Sequence, residues 1–419
     1  MSLMRLAILG CGSRGRTYAR IAATMPDRYE LVAVADHHEA KTSTLAELRE
    51  PGAIKVFDSD QALFAEGKIA DLLIIATQDA QHYDHAMQAM ELGYDLLLEK
   101  PAAETLERCE ALHDKAVEKS LRILPCFVLR YTPFYMAVRD FIDSGQLGKV
   151  VTIRASEGVE AFHQAHSYVR GHWSNTEKSS PMIVAKCSHD TDLMCWFAGS
   201  QPEGVTSLGS LDWFKNENAP VGAPERCTDG CPEAGNCIYD AHRYLGEKRN
   251  FLRMVMPGAE GETGAYELPE EPIMEFLRTS DWGRCVYRCD NNVVDHQVVA
   301  AKMENGVTAS LTMTAFDCNR TIEVHGTKGS LRGGGPLKDG GAFELWFRDH
   351  GSGEIEQIPV PEPEADGYAS HGGGDFGIIN SLDRLFVGPD AMPPGLEGIA
   401  GHRLAYRAEN SRLAGGAPR

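Results

Sequence analysis

The order of residues between Arg5 and Asp36 restricts the fold more than any other stretch of the chain. Arg5-Leu6-Ala7-Ile8-Leu9 is a short apolar strand that runs straight into Gly10-Cys11-Gly12-Ser13-Arg14-Gly15, with a helix pattern from Arg14 to Thr24. A second apolar strand, Leu31 to Ala35, ends at Asp36, 21 positions after Gly15. A bare G-x-G-x-x-G arises by chance. Between a strand and a helix, with a carboxylate at that distance, it lets the backbone approach a pyrophosphate, sets a helix N-terminus against its charge and offers the acid to a ribose diol. Gly10, Gly12, Ser13, Arg14, Gly15 and Asp36 are therefore the expected dinucleotide contacts. Asp36 would repel a 2′-phosphate, which favours NAD over NADP, although His37 and His38 beside it soften that preference.

Short apolar strands keep alternating with helical patterns as far as residue 127: Lys55 to Phe57, Asp71 to Thr77, Asp95 to Leu98 and Arg122 to Phe127, with helices around His85 to Leu92 and Leu106 to Ser120. That alternation predicts an α/β unit over 1–127, a parallel sheet covered on both faces. Ligands bind beyond the carboxyl ends of the strands in such sheets, and Gly10, Asp36, Thr77 and Lys100 all fall at strand ends. Residues 128–419 read differently. Val150 to Arg154, Val294 to Lys302, Val307 to Met313 and Thr321 to Val324 alternate in the manner of an open, largely antiparallel sheet, giving an α+β unit. Glu354 to Asp366 reads as a strand followed by a solvated acidic loop, and Ile399 to Leu413 as a last helix packing back on the body. The stretch from Asn216 to Gly283 fits neither pattern.

Lys100, in Glu99-Lys100-Pro101, belongs where a nicotinamide would lie if the pyrophosphate sits on the glycine loop. Burial and a nearby positive ring would lower its pKa and suit it to proton transfer. Ser179-Ser180-Pro181 reads as a helix start and Gly199 as its stop, and on that helix His189 shares a face with Met182, Lys186, Leu193 and Trp196. Asp190 and Asp192 then point elsewhere, toward solvent or nearby backbone. Lys100, His189 and Lys186 are the catalytic candidates. Phe162 to Trp173 is dense in aromatic and hydrogen-bonding groups, which suits polyol recognition, and His166, Arg170 and Trp173 are its substrate-binding candidates beside Lys100 and His189. Cys227-x3-Cys231-x5-Cys237 is loosely compatible with a structural zinc, with Cys285 or Cys289 as a fourth ligand. Serine-hydrolase, zinc-protease and P-loop motifs are absent.

The chain has 60 Asp and Glu against 41 Lys and Arg, a net charge of −19, which repels nucleic-acid backbones and anionic membrane surfaces. No run reaches the ~20 apolar residues of a membrane span. Eleven cysteines without a secretory signal suggest reduced thiols and a cytoplasmic setting.

These residues resemble the glucose–fructose oxidoreductase, inositol dehydrogenase and rhizopine-catabolism family, Gfo/Idh/MocA. The carriers are the glycine loop, Ala76-Thr77-Gln78-Asp79-Ala80-Gln81-His82, Glu99-Lys100-Pro101 and the helix with His189. Gln78 stands where the family has proline, while His82 keeps its place. The resemblance implies that Thr77, His82, Glu99 and Lys100 line the cofactor, that Lys100 lies by the nicotinamide, that His189 takes the substrate proton, and that the second unit makes homo-dimer or homo-tetramer contacts. Many members carry an aspartate four residues before the histidine; here that position is Ala185. The expected activity is NAD-dependent hydride transfer at a hydroxyl or keto carbon of a sugar, inositol or related polyol. Two rivals stand beside it: an NAD-assisted carbohydrate lyase or glycosidase without net NADH production, and a non-catalytic dinucleotide sensor, which needs neither Lys100 nor His189.

Overall fold

Five runs of buried aliphatic residues and a short exposed edge strand build the first sheet. In the computed structural model, which describes residues 3–259, 264–335, 342–363, 370–389 and 391–419, they are β1 (Met4–Leu9), β2 (Tyr29–Ala35), β3 (Lys55–Phe57), β4 (Leu72–Ile75), β5 (Asp95–Leu98) and β6 (Arg122–Pro125). Every pairing among them is parallel, in the order β6-β5-β4-β1-β2-β3. The strands are too short to span the sheet as helices would, and burial on both faces explains why they read as continuous apolar runs. Two of the connecting helices start on a side-chain cap: Ser59 accepts from the Ala62 amide and Thr105 from the Arg108 amide. The chain direction reverses its lateral progress between β1 and β4, which opens a crevice beyond their carboxyl ends.

The second sheet holds β7 (Val150–Val159), β8 (Pro202–Ser210), β9 (His296–Met303), β10 (Thr308–Thr314), β11 (Cys318–Gly326), β12 (Gly329–Gly334), β13 (Glu344–Asp349) and β14 (Ile355–Ile358). Its order is β14-β13-β12-β11-β7-β10-β9-β8, antiparallel except for the β7–β10 pair. Period-two patterning sets its faces: Val299, Ala301, Leu311, Met313, Val324 and Leu345 point inward, while Val298, Lys302, Thr312 and Trp346 point out. One apolar cluster runs from the first sheet (Leu73, Ile75, Leu98) through the Ser188–Ala198 helix to that inner face. Full burial of each such Leu or Ile contributes roughly 1.5–3 kcal/mol.

The C-terminal 50 residues return to the first unit before the last helix packs on the second. A two-residue strand, β15 (Gly395–Leu396), extends the parallel sheet beside β6, and the Gly374–Ile379 helix packs on the Ser13–Ala23 helix. The final helix occupies Ile399–Leu413, as its periodicity predicts, against the Ser188–Ala198 helix and β8. Residues 364–366 of the expected acidic loop lie outside the described residues. Among the described residues, no helix is long and apolar enough to cross a membrane.

Candidate active site

The glycine loop is shaped by contacts that a side chain would break. Gly10 has φ +95°, and a Cβ on Gly15 would stand 2.0 Å from the Gly10 carbonyl oxygen, so the loop and the Ser13–Ala23 helix meet at backbone distance. At Gly12 a Cβ would meet no protein atom within 4 Å. Gly12 also caps the helix without any side-chain bond, leaving the first amides for an outside acceptor. These are the features a pyrophosphate needs. Asp36 sits at the end of β2, its carboxylate accepting from the Cys11 amide at 2.9 Å and the His38 amide at 2.9 Å. Burial works to raise its pKa, but these amides hold it below the usual carboxylate range. The loop, an anionic Asp36 and the open face at Gly12 fit a dinucleotide.

Three of the expected cofactor residues turn out to be scaffold. Arg14 points its guanidinium away from the loop: Nε donates to Glu99 Oε1 at 2.7 Å, and Nη1 and Nη2 donate to the two Asp375 oxygens at 2.9 and 2.6 Å. Glu99 is buried and also accepts from the Tyr18 hydroxyl and the Lys100 amide. Burial opposes its charge, yet Arg14 and Tyr18 keep its pKa low. His82 is buried with Nδ1 2.7 Å from the Pro101 carbonyl and Nε2 3.2 Å from the Thr77 carbonyl, tying together the loops after β4 and β5. The Thr77 hydroxyl meets His85 Nδ1 at 3.1 Å. The side chains of Arg14, Glu99 and His82 are thus bonded within the protein, where they fix the strand ends that carry Gly10 and Lys100; for Arg14 it is the backbone amide, in the first turn of the helix, that faces the loop.

Lys100 is largely buried, and its ammonium donates to the Ala185 carbonyl at 2.9 Å. Burial lowers its pKa, against the opposing pull of Glu99 and Asp79. Ala185 ends a short helix, Met182–Ala185, with Pro181 and no side-chain bond at its cap. The single helix expected from Ser179 to Gly199 is therefore wrong: the chain breaks at Lys186 and Cys187 and restarts as Ser188–Ala198, which does end at Gly199 in the left-handed conformation. His189 lies on the first turn after the break. It is buried, and its Nδ1 has no hydrogen-bond partner among the described residues. Burial pushes its pKa well below the ordinary imidazole value, and the charges of Lys100, Arg320, His371 and Lys186 push the same way. His189 is a neutral base at pH 7.

Around it stands an ionic cluster that periodicity could not reveal. Lys186 Nζ lies 3.3 Å from Glu157 on β7. Arg320 Nε on β11 is 2.7 Å from Glu157 Oε2 and 2.8 Å from Asp190 Oδ1. One N–H cannot point straight at both, and the hydrogen bond goes to Asp190, leaving Glu157 Oε2 with the ionic contact alone. Burial raises the Glu157 pKa. Asp190 and Asp192 are both buried, not solvated as their helix position suggested. Asp192 takes two 2.6 Å bonds from Arg130, and burial lifts its pKa to about 6. His371, from the returning C-terminal segment, places Nδ1 3.0 Å from Asp375, the same carboxylate that holds Arg14. No local motif marks His371, Asp375, Glu157 or Arg320 as partners of this site; Gly372-Gly373-Gly374 beside His371 is the one signal that a special backbone path was needed.

The aromatic stretch divides. Trp173 Nε1 donates to Asp79 Oδ2 at 3.1 Å, spanning the two units beside Lys100. His166 is buried with Nδ1 2.6 Å from the Tyr244 hydroxyl and with Phe251 and Trp282 around its ring. Arg170 is buried and donates to the carbonyls of Arg284 and Tyr239. Both side chains belong to the core under the 211–295 insertion, away from Lys100 and His189, where their polar atoms bond within the protein. The cysteines of that insertion are free thiols. Among the described residues, no three of their sulfurs lie within 4.8 Å of one another, as the residues Asp36, His37 and His38 do.

Comparison with known proteins agrees with this geometry. The Gfo/Idh/MocA family models match residues 4–127, described as an oxidoreductase family, NAD-binding Rossmann fold, and residues 139–362, described as its C-terminal alpha/beta domain. YteT of Bacillus subtilis is 21% identical over 92% of this chain and 89% of its own length. The scyllo-inositol 2-dehydrogenase (NAD(+)) of the same organism is 27% identical over 50% of this chain and 58% of its own. Among solved structures, an oxidoreductase from Agrobacterium radiobacter in complex with NAD+, L-tartaric acid and magnesium superposes with TM-score 0.67 at 14% identity, covering 100% of this chain and 98% of that one. The parallel sheet with its glycine loop, the mixed eight-stranded sheet behind it and two family matches that span most of the chain together make this protein a member of the Gfo/Idh/MocA oxidoreductase family, an enzyme with an NAD-binding Rossmann unit.

Proposed function

We propose that this enzyme moves a hydride between NAD and a hydroxyl-bearing carbon of a sugar, inositol or related polyol. The observation that carries the reading is His189: buried, kept neutral, with an unpartnered Nδ1, on the helix that follows the carbonyl held by Lys100. The nicotinamide supplies the hydride acceptor or donor. The protein has to remove the hydroxyl proton, and a neutral imidazole does so without first losing a proton of its own. The ammonium of Lys100 and the Lys186 and Arg320 cations near His189 favour the oxyanion that forms as the proton leaves. Trp173 offers an aromatic face for the C–H side of a sugar. Asp36 supports NAD over NADP. The relative named as a scyllo-inositol 2-dehydrogenase supports a cyclic polyol.

A redox-assisted lyase or glycosidase is the second reading, and the His371–Asp375 pair favours it: elimination needs a second proton carrier, and His371 acts electrostatically on His189. The outer face of the second sheet exposes Leu208, Val298, Trp346 and Ile355, which supports pairing with a second copy, testable by light scattering. Fluorescence titration with NAD+ and NADP+, followed by a polyol and keto-sugar screen read at the NADH absorbance, tests the function. Lys100→Met is expected to lower turnover by roughly 100-fold or more while sparing dinucleotide binding. An active Lys100→Met enzyme, or no affinity for either dinucleotide, overturns the proposal. Product formation without net NADH selects the lyase reading.

A further inference from the structure

The insertion between β8 and β9 gathers its cysteines around a buried cation. Two of its loops pair backbone to backbone: the Cys227 amide donates to the Gly283 carbonyl at 2.9 Å and the Cys285 amide to the Glu225 carbonyl at 2.9 Å. That ladder pairs Arg226 with Arg284, so Cys227 and Cys285 lie diagonally across it on one face. Cys231 and Cys237 follow on a short turn in which the Cys237 amide donates to the Glu233 carbonyl. All four residues line one small cavity, of about 20 Å³, together with Arg170, Tyr239 and Tyr287. Cys289 is turned away, its thiol directed at the Cys285 carbonyl.

Arg170 is the informative neighbour. It is only 3% exposed. Two of its nitrogens satisfy backbone carbonyls, Nη2 also reaches the Cys227 sulfur at 3.5 Å, and Nη1 is buried with no partner among the described residues. No carboxylate among the described residues forms an ion pair with it. An unpaired buried cation is strongly disfavoured unless an anion shares its site; Glu233 and Asp240 also line the cavity without pairing with it, and the side chain that reaches its guanidinium is the Cys227 thiol. Thiols become anions when they bind a metal.

We propose that Cys227, Cys231, Cys237 and Cys285 hold one zinc ion as thiolates, with Arg170 donating hydrogen bonds to the resulting dianionic centre. Four thiols release four protons to solvent as four zinc–sulfur bonds form, so Zn²⁺ with four thiolates carries a charge of −2. The cavity has room for a single ion and not for a cluster. In a tetrahedral site with bonds of about 2.3 Å the sulfurs stand about 3.8 Å apart, closer than the free thiols stand. Binding therefore requires the four thiols to turn toward one another from their free positions. Zinc there would staple an insertion that has only two small apolar clusters of its own.

Metal content of the full-length protein, purified reduced and without chelators, tests the site by elemental analysis. About one zinc per chain is expected, falling below about a tenth in Cys231→Ser and unchanged in Cys318→Ser, whose thiol is exposed elsewhere. Cobalt(II) added to apoprotein is expected to give thiolate charge-transfer bands, a readout that needs no variant. Less than about a tenth of an equivalent of zinc, both as isolated and after incubation of reduced protein with zinc chloride, overturns the proposal. Iron with labile sulfide, or a mass deficit showing paired disulfides, overturns it equally.

Discussion

Acid should loosen the loop that carries Lys100 before it unfolds the rest of the protein, and His402 sets the size of the effect. Its ring is fully buried against Phe127, and Nε2 accepts the amide of Ala102, two residues beyond Lys100. Burial lowers its pKa to about 4, against a weaker opposing pull from the Gly398 carbonyl. A histidine in the unfolded chain titrates near ~6.5. The folded value is the lower one, so the stability is fully present above that pH. It is lost as pH falls, because the unfolded chain takes up a proton that the folded ring refuses. At pH 5 the gap from the unfolded value is about 1.5 pH units, or about 2 kcal/mol at 1.36 kcal/mol per unit. His166, lowered to about 3 by burial and by Arg170 and His172, adds a similar amount. Urea unfolding followed by tryptophan fluorescence at pH 7, 6 and 5 measures the slope. His402→Gln keeps an acceptor for the Ala102 amide but cannot titrate, so its stability should fall by about 2 kcal/mol less than wild type between pH 7 and pH 5. Equal losses in the two proteins would refute the assignment.

Four further outcomes follow from the site. Gly12→Ala should fold with stability within about 0.5 kcal/mol of wild type, since its methyl meets no protein atom. Its NAD affinity, read by fluorescence titration, should nevertheless drop at least tenfold (~1.4 kcal/mol) because that space belongs to the pyrophosphate. Gly15→Ala should instead lose stability, with a lower denaturation midpoint, since its methyl would overlap the Gly10 carbonyl. Asp375→Asn removes a buried partner of Arg14 and His371 and should cost about 3 kcal/mol in urea unfolding; a neutral substitution would show that the C-terminal segment does not brace the glycine loop. Asp36→Ser should shift the ratio of NAD to NADP affinity toward NADP, and an unchanged ratio would remove Asp36 from ribose recognition.

What the sequence revealed is what short-range chemistry encodes. The glycine loop, the strand ends and the last helix each depend on residues within a turn or two, so their patterns survive without tertiary context. The partners of Arg14 do not. Asp375 lies 361 positions away, and nothing near either residue announces the pairing, so an arginine inside a phosphate loop was read as a phosphate contact. The same blindness placed Asp190 and Asp192 in solvent: a carboxylate on a helix is hydrophilic by pattern, and only β11 and the Arg130 turn bring the guanidiniums that make its burial affordable. The helix break at Lys186 escaped because periodicity counts apolar positions and does not register one residue of altered backbone. His166 and Arg170 were misread for a related reason, since the groups that bind a polyol are also the groups that satisfy a buried insertion.

The missing aspartate four residues before His189 acquires a physical meaning once the lysine is located. At that position Ala185 has no side chain to orient an amine, yet its main-chain carbonyl accepts from Lys100 at 2.9 Å. A neutral carbonyl orients an ammonium as well as a carboxylate does, but it supplies no charge to offset burial, and Lys100 is accordingly lowered in pKa. The negative charge stands on β7 and on the His189 helix, where Glu157 binds Lys186 and Arg320, and Asp190 binds Arg320. This arrangement separates two duties that one carboxylate could combine: holding the amine in place, and balancing the cations around the imidazole. Burial, reinforced by the positive charges of Lys100, Arg320 and Lys186, keeps the His189 ring neutral. A substrate that arrives with its own negative charge or a readily ionised hydroxyl would meet that surplus of cations, and a fully neutral one would depend more on the hydrogen bond that Lys100 now gives to Ala185.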